Sequence, residues 1–331
     1  LNQYENKEIL ITGGLGFIGS NLARALVDRG AKVTLADSLI PLYGGNIFNI
    51  DDIRDKVTVN VCDIRDSFAM AYLLQGKDYL FNLAGQTSHM DSMSDPQTDL
   101  DINANAQLSI LEACRKVNPA IKIVFASTRQ LYGKPDYLPV DEKHPIRPVD
   151  VNGINKLAGE WYHLLYNNVY GIRACALRLT NTYGPGMRVK DARQTFLGIW
   201  VRLLIEGKPI QVFGDGLQLR DFNYVDDCVE ALLLAGANDA ANGKVFNLGS
   251  TEVIGLKELA EMMIDLGYGG AFELIAFPPE RKAIDIGDYY SDFSLITKEL
   301  GWQPKVGLKE GLIQSINYYK KNYRHYWDEQ E

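Results

Sequence analysis

The chain begins with short apolar runs separated by glycines and polar turns. Residues 8–12 (EILIT) are apolar and stop at a glycine pair, which reads as a buried parallel strand. Ile18, Leu22, Ala25 and Leu26 then fall on one face of a helix predicted over 17–29, which Gly30 ends. A second strand at 31–36 completes a βαβ unit. The alternation continues through strand-like runs at 57–61, 79–83, 121–126 and 172–179. Between them, Ala106, Ile110, Ala113 and Val117 mark one helical face, and Leu157, Trp161, Leu164 and Leu165 another. Strands alternating with helices predict an α/β, Rossmann-like doubly wound parallel sheet covered on both faces.

The pattern changes near Asn181. Proline and glycine become frequent, and helical stripes recur at Phe196–Leu204, Leu256–Met263 and Leu308–Ile316. The expected division is a nucleotide-binding domain over 1–180 and, over 181–331, mainly a smaller C-terminal α/β substrate-binding lobe. Some of its segments are expected to return to the first domain.

Composition narrows the partners. A chain of 331 residues with formal charge -8 lacks the basic surface that nucleic acid or an anionic membrane requires. The four cysteines, Cys62, Cys114, Cys175 and Cys228, are scattered, as are the four histidines, so neither a disulfide framework nor a metal site is expected. A short polar lead runs straight into the first strand, and no apolar run reaches membrane-spanning length. A cytoplasmic location is the expectation.

Thr12-Gly-Gly-Leu-Gly-Phe-Ile-Gly19 joins the first strand to the first helix. Gly13, Gly16 and Gly19 there permit a tight turn, close approach to a pyrophosphate and close helix–strand packing. The helix start at Phe17 and Ile18 offers free N–H groups to the phosphates. Asp37 ends the second strand, 18 residues past Gly19. A carboxylate there accepts from both ribose hydroxyls and repels a 2′-phosphate, and the next residues are Ser38 and Leu39, not arginine. The expected cofactor is therefore NAD rather than NADP. A ligand-free glycine turn and a turn-capping aspartate are the plain alternatives.

The glycine spacing G-x-x-G-x-x-G resembles that of the extended short-chain dehydrogenase/reductase family. Further matches follow in order: Asp63-Ile64, Asn82-Leu-Ala-Gly85, Asn103, Ser127-Thr128 with Leu131-Tyr-Gly133, and Arg178-Leu-Thr-Asn-Thr-Tyr-Gly-Pro185. Phe213-Gly-Asp-Gly216 and the run from Arg220 to Asp227 resemble the nucleotide-sugar epimerase and dehydratase branch. The resemblance covers nearly the whole chain. It implies that Asp63 and Ile64 lie at the adenine, and that Leu83, Ala84, Gly85, Asn103 and Lys156 lie along the rest of the cofactor. It implies a nucleoside-diphosphate sugar as substrate, with Gln86, Asn181, Arg220 and Arg281 toward it. A turn cap at Asn181, a surface pair of Arg220 with Asp221, and a solvated Arg281-Lys282 are the alternatives.

One departure matters most. The family's chemistry rests on Tyr-x-x-x-Lys, but this chain reads Asn152-Gly-Ile-Asn-Lys156. An amide neither gains nor loses a proton near neutrality. Arg129 and Gln130 also stand where the 4,6-dehydratases carry Asp-Glu, and Gln130 falls where sugar-acid decarboxylases carry Glu, which disfavours both reactions. The residues considered for catalysis are Thr128, Asn152, Lys156 and His89, the last on the loop after the fourth strand, with Tyr43 an outsider. The leading reading is an NAD-dependent nucleotide-sugar epimerase with a non-standard acid/base. The alternatives are another nucleotide-sugar oxidoreductase or lyase, and a catalytically inactive NAD-binding regulatory protein. The resemblance also implies a homodimer through helices at 106–117 and 157–168, with Trp161 and Tyr162 at the contact.

Overall fold

A computed structural model describes residues 3–40, 43–192, 195–267 and 269–327. Its central element is a seven-stranded parallel sheet. In chain order the strands are β1 (Glu8–Thr12), β2 (Lys32–Asp37), β3 (Val57–Val61), β4 (Tyr79–Asn82), β5 (Lys122–Thr128) and β6 (Arg173–Leu179). Three more, β7 (Asn181–Tyr183), β8 (Ile210–Phe213) and β9 (Leu219–Tyr224), follow, and then β10 (Val245–Asn247), β11 (Val253–Gly255) and β12 (Phe272–Ile275). The large sheet runs β10-β6-β5-β4-β1-β2-β3. The order reverses between β1 and β4, and ligands of such sheets bind beyond the strand ends at that point.

The helices are α1 (Phe17–Val27), α2 (Ser67–Leu73), α3 (His89–Ser94), α4 (Pro96–Leu100), α5 (Ala106–Val117) and α6 (Val151–Tyr170), then α7 (Phe196–Ile205), α8 (Val225–Ala237) and α9 (Leu256–Asp265). The last are α10 (Pro279–Ala283), α11 (Ser294–Leu300) and α12 (Leu308–Asn322). The inner strands are buried on both faces, as Ile9, Leu10 and Ile11 are in β1, while edge strand β3 is partly exposed. Asp150 caps α6 by accepting from Gly153 N at 2.6 Å, and Gly171, in the left-handed region at φ 69, ends it.

Two elements beyond residue 181 serve the first sheet. β10 pairs with β6 in parallel, and α8 packs against α1 and β5. α8 buries Val225, Val229 and Leu232 behind an acidic start, Asp226-Asp227, which suits a helix N-terminus. The remaining strands form two small sheets, β11-β9-β7 and β12-β8, beside α7, α9 and α12. Among the described residues, no helix is long and apolar enough to cross a membrane.

A buried ion pair joins α6 to β5 and β6 within the large-sheet domain. Glu160 of α6 takes both Arg178 Nε (3.0 Å) and Nη2 (2.5 Å), and accepts from Ser127 Oγ at 2.6 Å. Arg178 Nη1 donates to the Tyr132 hydroxyl at 2.6 Å, which donates on to Asn247 of β10 at 2.7 Å. Tyr132 is thus committed to the scaffold.

Candidate functional site

A cleft of about 670 Å³ opens beyond the carboxyl ends of β1, β2, β4 and β5 and is closed on its other side by β8, β9, α7 and α10. Gly13, Gly16, Phe17, Ile18 and Gly19 form one end of its lining, with Asp37, Ser38, Asp63 and Ile64 beside them. Gly13 has φ +68, and a Cβ there would stand 3.0 Å from the Ala84 backbone. A Cβ on Gly19 would overlap the Gly13 carbonyl oxygen. The α1 terminus therefore comes close to β4 only because these positions lack side chains. Asp37 accepts from Leu15 N (3.0 Å) and Leu39 N (2.9 Å), so it braces the glycine turn and closes its own. Burial pushes its carboxyl above the usual range, against the pull of those two N–H groups. Asp63 is paired with Arg65 at 2.6 Å.

Leu83, Ala84 and Gly85 continue the floor. Thr12 Oγ1 accepts from Leu83 N (3.1 Å) and Ala84 N (3.2 Å) and donates to Asn82 Oδ1 (2.8 Å). Beneath them, Asn82 Nδ2 donates to Gln107 Oε1 at 2.6 Å and lies 3.3 Å from His163 Nε2. His163 is fully buried, donates from Nδ1 to Gly159 O at 2.7 Å, and is lowered by that burial to about 4. It is a neutral structural ring.

Gly85 makes room for Lys156. A Cβ at Gly85 would lie 2.7 Å from Lys156 Nζ and 2.9 Å from Asn103 Oδ1. Lys156 Nζ donates to Ala126 O at 3.2 Å, and burial lowers it to about 8. Asn103 lies behind Gly85, donates to Gln86 O at 2.9 Å, and has its buried Oδ1 without a hydrogen-bond partner among the described residues. A glycine cradle, a braced aspartate, a buried lysine and an unmatched acceptor fit a dinucleotide.

Asn152 lines the cleft in the first turn of α6. Its Nδ2 donates to Gln86 O (2.8 Å) and to Asp99 Oδ2 (3.0 Å). Both partners are pure acceptors, so the amide has one possible orientation. Oδ1, the remaining polar atom, is a fixed acceptor. Asp99, fully buried, takes Asn155 Nδ2 on its other oxygen at 2.8 Å. An amide tied to a carboxylate thus occupies the position where a phenol was expected.

The other wall is cationic. Thr128 ends β5 on the cleft, accepting from Gln130 N at 3.2 Å. Arg129 beside it donates from Nη2 to Asn181 Oδ1 at 2.8 Å and lies over the Tyr289 ring at 5.0 Å. Its buried Nη1 has no hydrogen-bond partner among the described residues. Asn181 completes this clamp by donating to Asp221 O at 2.9 Å. Arg220 is only 6% exposed and its guanidinium meets backbone oxygens, with Asp285 at 3.6 Å. Burial, then repulsion from Arg129, lowers Arg220 to about 10, with Asp285, Asp288 and Asp221 opposing. Burial likewise lowers Arg129. Arg220 and Asp221 are not a surface pair: Asp221 is fully buried and accepts from Thr180 Oγ1 and Ser291 N. Arg281, on α10, lies over the Phe213 ring at 5.7 Å.

Gln86 is placed differently from the other substrate-side residues. Its amide closes on Ser88, donating to Ser88 O at 2.9 Å and accepting from Ser88 N, and it is absent from the cleft lining. His89 does not sit on a loop but opens α3, which Ser88 caps. Sequence reasoning passed over Arg129 as a poor acid–base group and never weighed Asp99 or Asp150. No local pattern marks Asp99, whose neighbours Gln97, Thr98 and Asp101 are equally polar.

The comparisons agree with this geometry. The family model for the NAD dependent epimerase/dehydratase family matches residues 9–249. The chain is 35% identical to a provisionally assigned UDP-glucose 4-epimerase of Methanocaldococcus jannaschii, over 96% of this chain and 99% of that protein. It is 30% identical to the UDP-glucose 4-epimerase of Mycolicibacterium smegmatis, over 94% and 98% of the two chains. The structure of the UDP-glucose 4-epimerase of Thermotoga maritima with UDP-glucose superposes with a TM-score of 0.87 at 30% identity, covering 96% of this chain and 99% of that one. The glycine cradle, the braced Asp37 and Lys156 are what an NAD site needs, and the chain belongs to the NAD-dependent epimerase/dehydratase family.

Proposed function

We propose that the protein is an epimerase of a nucleoside-diphosphate sugar, working by transient hydride transfer. The observation that carries this reading is the pair of cationic guanidinium groups in the same cleft as the dinucleotide cradle: Arg220, buried, and Arg129, whose buried Nη1 has no hydrogen-bond partner among the described residues. Burying cations that repel each other is costly unless an anion joins them. A diphosphate supplies that anion. Arg220 and Arg281 are assigned to it, and Asn181 holds Arg129 in place rather than meeting the substrate through its own amide. The cofactor is NAD: Gly13, Gly16 and Gly19 take the pyrophosphate, Asp37 and Ser38 the adenosine ribose, Asp63 and Ile64 the adenine, and Lys156 and Asn103 the nicotinamide end. Bound there, NAD supplies a hydride acceptor that returns what it takes. Thr128 holds a sugar hydroxyl, and Asn152 Oδ1 accepts from a second.

The relatives named above act on UDP-glucose, which makes it the first substrate to test. Purified protein mixed with a panel of nucleotide sugars should interconvert one pair of isomers by NMR without net NADH. Stoichiometric NADH would indicate a different oxidoreductase instead. No turnover across the panel, with NAD bound, would favour a regulatory protein.

Pairing into a homodimer through α5 and α6 is part of the proposal. Ile154, Trp161 (56% exposed), Leu165 and Val169 form an apolar stripe along α6, while Tyr162 packs inward. Sedimentation should give a dimer, and Trp161→Glu a monomer.

A further inference from the structure

We infer that His89, held by Asp150, is the proton carrier that this cleft uses in place of the family's tyrosine. The inference rests on the epimerase reading above.

His89 lines the cleft, and its Nδ1 is 2.9 Å from Asp150 Oδ2. The contact is at ion-pair distance, and buried Nδ1 has no geometrically formed hydrogen bond among the described residues. Asp150 is fully shielded at its side chain, whereas the His89 side chain is 36% exposed with Nδ1 itself buried. The accessible edge of the ring is therefore the Nε2 side. A carboxylate accepts only, so its charge beside Nδ1 favours the tautomer of the neutral ring with the hydrogen on Nδ1 and the lone pair on Nε2.

Asp150 is fixed in turn. Its Oδ1 accepts from Gly153 N at 2.6 Å, and its Oδ2 accepts from Gln130 Nε2 at 2.8 Å as well as facing His89. These partners, His89 foremost, hold the carboxyl below its usual range despite burial. The charge is thus present when the ring gains a proton. A base oriented by a carboxylate is an arrangement that supports general acid–base work.

The placement suits the missing group. Asp150 is the cap of α6, and Asn152 lies two residues on, in the first turn of the same helix. Asn152 Nδ2 and Asn103 both meet the carbonyl of Gln86, three residues before His89. His89, Asn152 and Thr128 line one cleft together with Lys156. In the step, Nε2 takes the proton of a sugar hydroxyl, and the O–H electron pair becomes the second bond of a carbonyl. NAD, when bound, would supply the acceptor for the two electrons of that carbon's C–H bond, which would leave with the hydrogen as hydride. Reversal on the other face returns the hydride to carbon and the proton from Nε2 to oxygen. Asp150 acts through His89 and is a positioning residue.

Two measurements test this on the NAD-loaded protein. The first needs no turnover: carbethoxylation by diethyl pyrocarbonate, mapped by mass spectrometry. His144 and His163 are buried, which leaves His89 and exposed His325 as the reactive pair. UDP-glucose should slow modification of His89 at least tenfold and leave His325 unchanged, whereas UDP alone should protect neither. Equal protection by UDP alone, or none by UDP-glucose, would overturn the placement at the sugar. The second is kinetic. His89→Ala should lower kcat at least 100-fold and regain activity with added imidazole. Asp150→Asn, which keeps the helix cap, should lower kcat about tenfold with KM unchanged. Wild-type kcat in His89→Ala sinks the inference while leaving the epimerase reading intact. A wild type inactive on every nucleotide sugar sinks both.

Discussion

The two walls of the cleft are built from different material. The cofactor wall is mostly backbone: three glycines, a helix start and a strand end, with few side chains to place. The wall proposed for substrate is side chains: Arg129 just past β5, Arg220 from β9 and Arg281 from α10 reach in, with Arg129 placed by Asn181 and Tyr289 and Arg281 by Phe213. A backbone-built wall fails sharply when a single Cβ is added, because its neighbours are main chain. A side-chain wall weakens by degrees.

The largest expected effect tests the first half of that contrast. Gly19→Ala puts a methyl into the Gly13 carbonyl and should lower NAD affinity at least 100-fold, read by calorimetry. Near-normal affinity would show that the cradle is more pliable than its spacing implies. Next, Glu160→Gln strips the Arg178 pair and should cost roughly 3–5 kcal/mol in urea unfolding, since the remaining cation is buried. A loss below ~1 kcal/mol would mean that α6 is held against β5 and β6 by packing rather than by this pair.

Acid should attack the floor of the cofactor wall. His163 is lowered to about 4 in the folded chain, so the unfolded chain binds the extra proton below its ordinary range near 6.5. Stability should therefore fall as pH drops from about 6.5 to 4, by roughly 3 kcal/mol. His163→Gln should flatten that part of the profile, and an unchanged slope would assign it to carboxylates elsewhere. The smallest effects belong to the substrate wall. Arg220→Ala should raise KM by about 10-fold, from the ~1.5–3 kcal/mol of a charged hydrogen bond partly offset by relief of repulsion. More exposed Arg281→Ala should raise it about threefold, and both variants should bind NAD normally.

The same contrast explains what the sequence disclosed. Strand runs and glycine spacings are local, so the parallel sheet, α1 and the Gly13–Gly19 turn were readable directly. Sequence limits fell short for α6, which extends to Val151 because Asp150 caps it, and α8 was not recognised. Asp99 meets Asn152 and Asn155 across more than fifty positions, and Asp150 meets His89 across sixty-one. Such pairs depend on how α3, α4 and α6 stack, which no local pattern records. Gln86 is the converse case: family resemblance points it at substrate, and in this structure its amide closes a turn.

The Asp99–Asn152 pair also bears on how this chain can change. Tyrosine at 152 would remove one of the two amide donors from a fully buried carboxylate. It would have to displace that partner while fitting a larger ring, so Asn152→Tyr carries a stability penalty that a second change at Asp99 would relieve. Position 152 is set by its buried neighbour as much as by the cleft it faces, and installing a phenol there is a two-site problem rather than a one-site one.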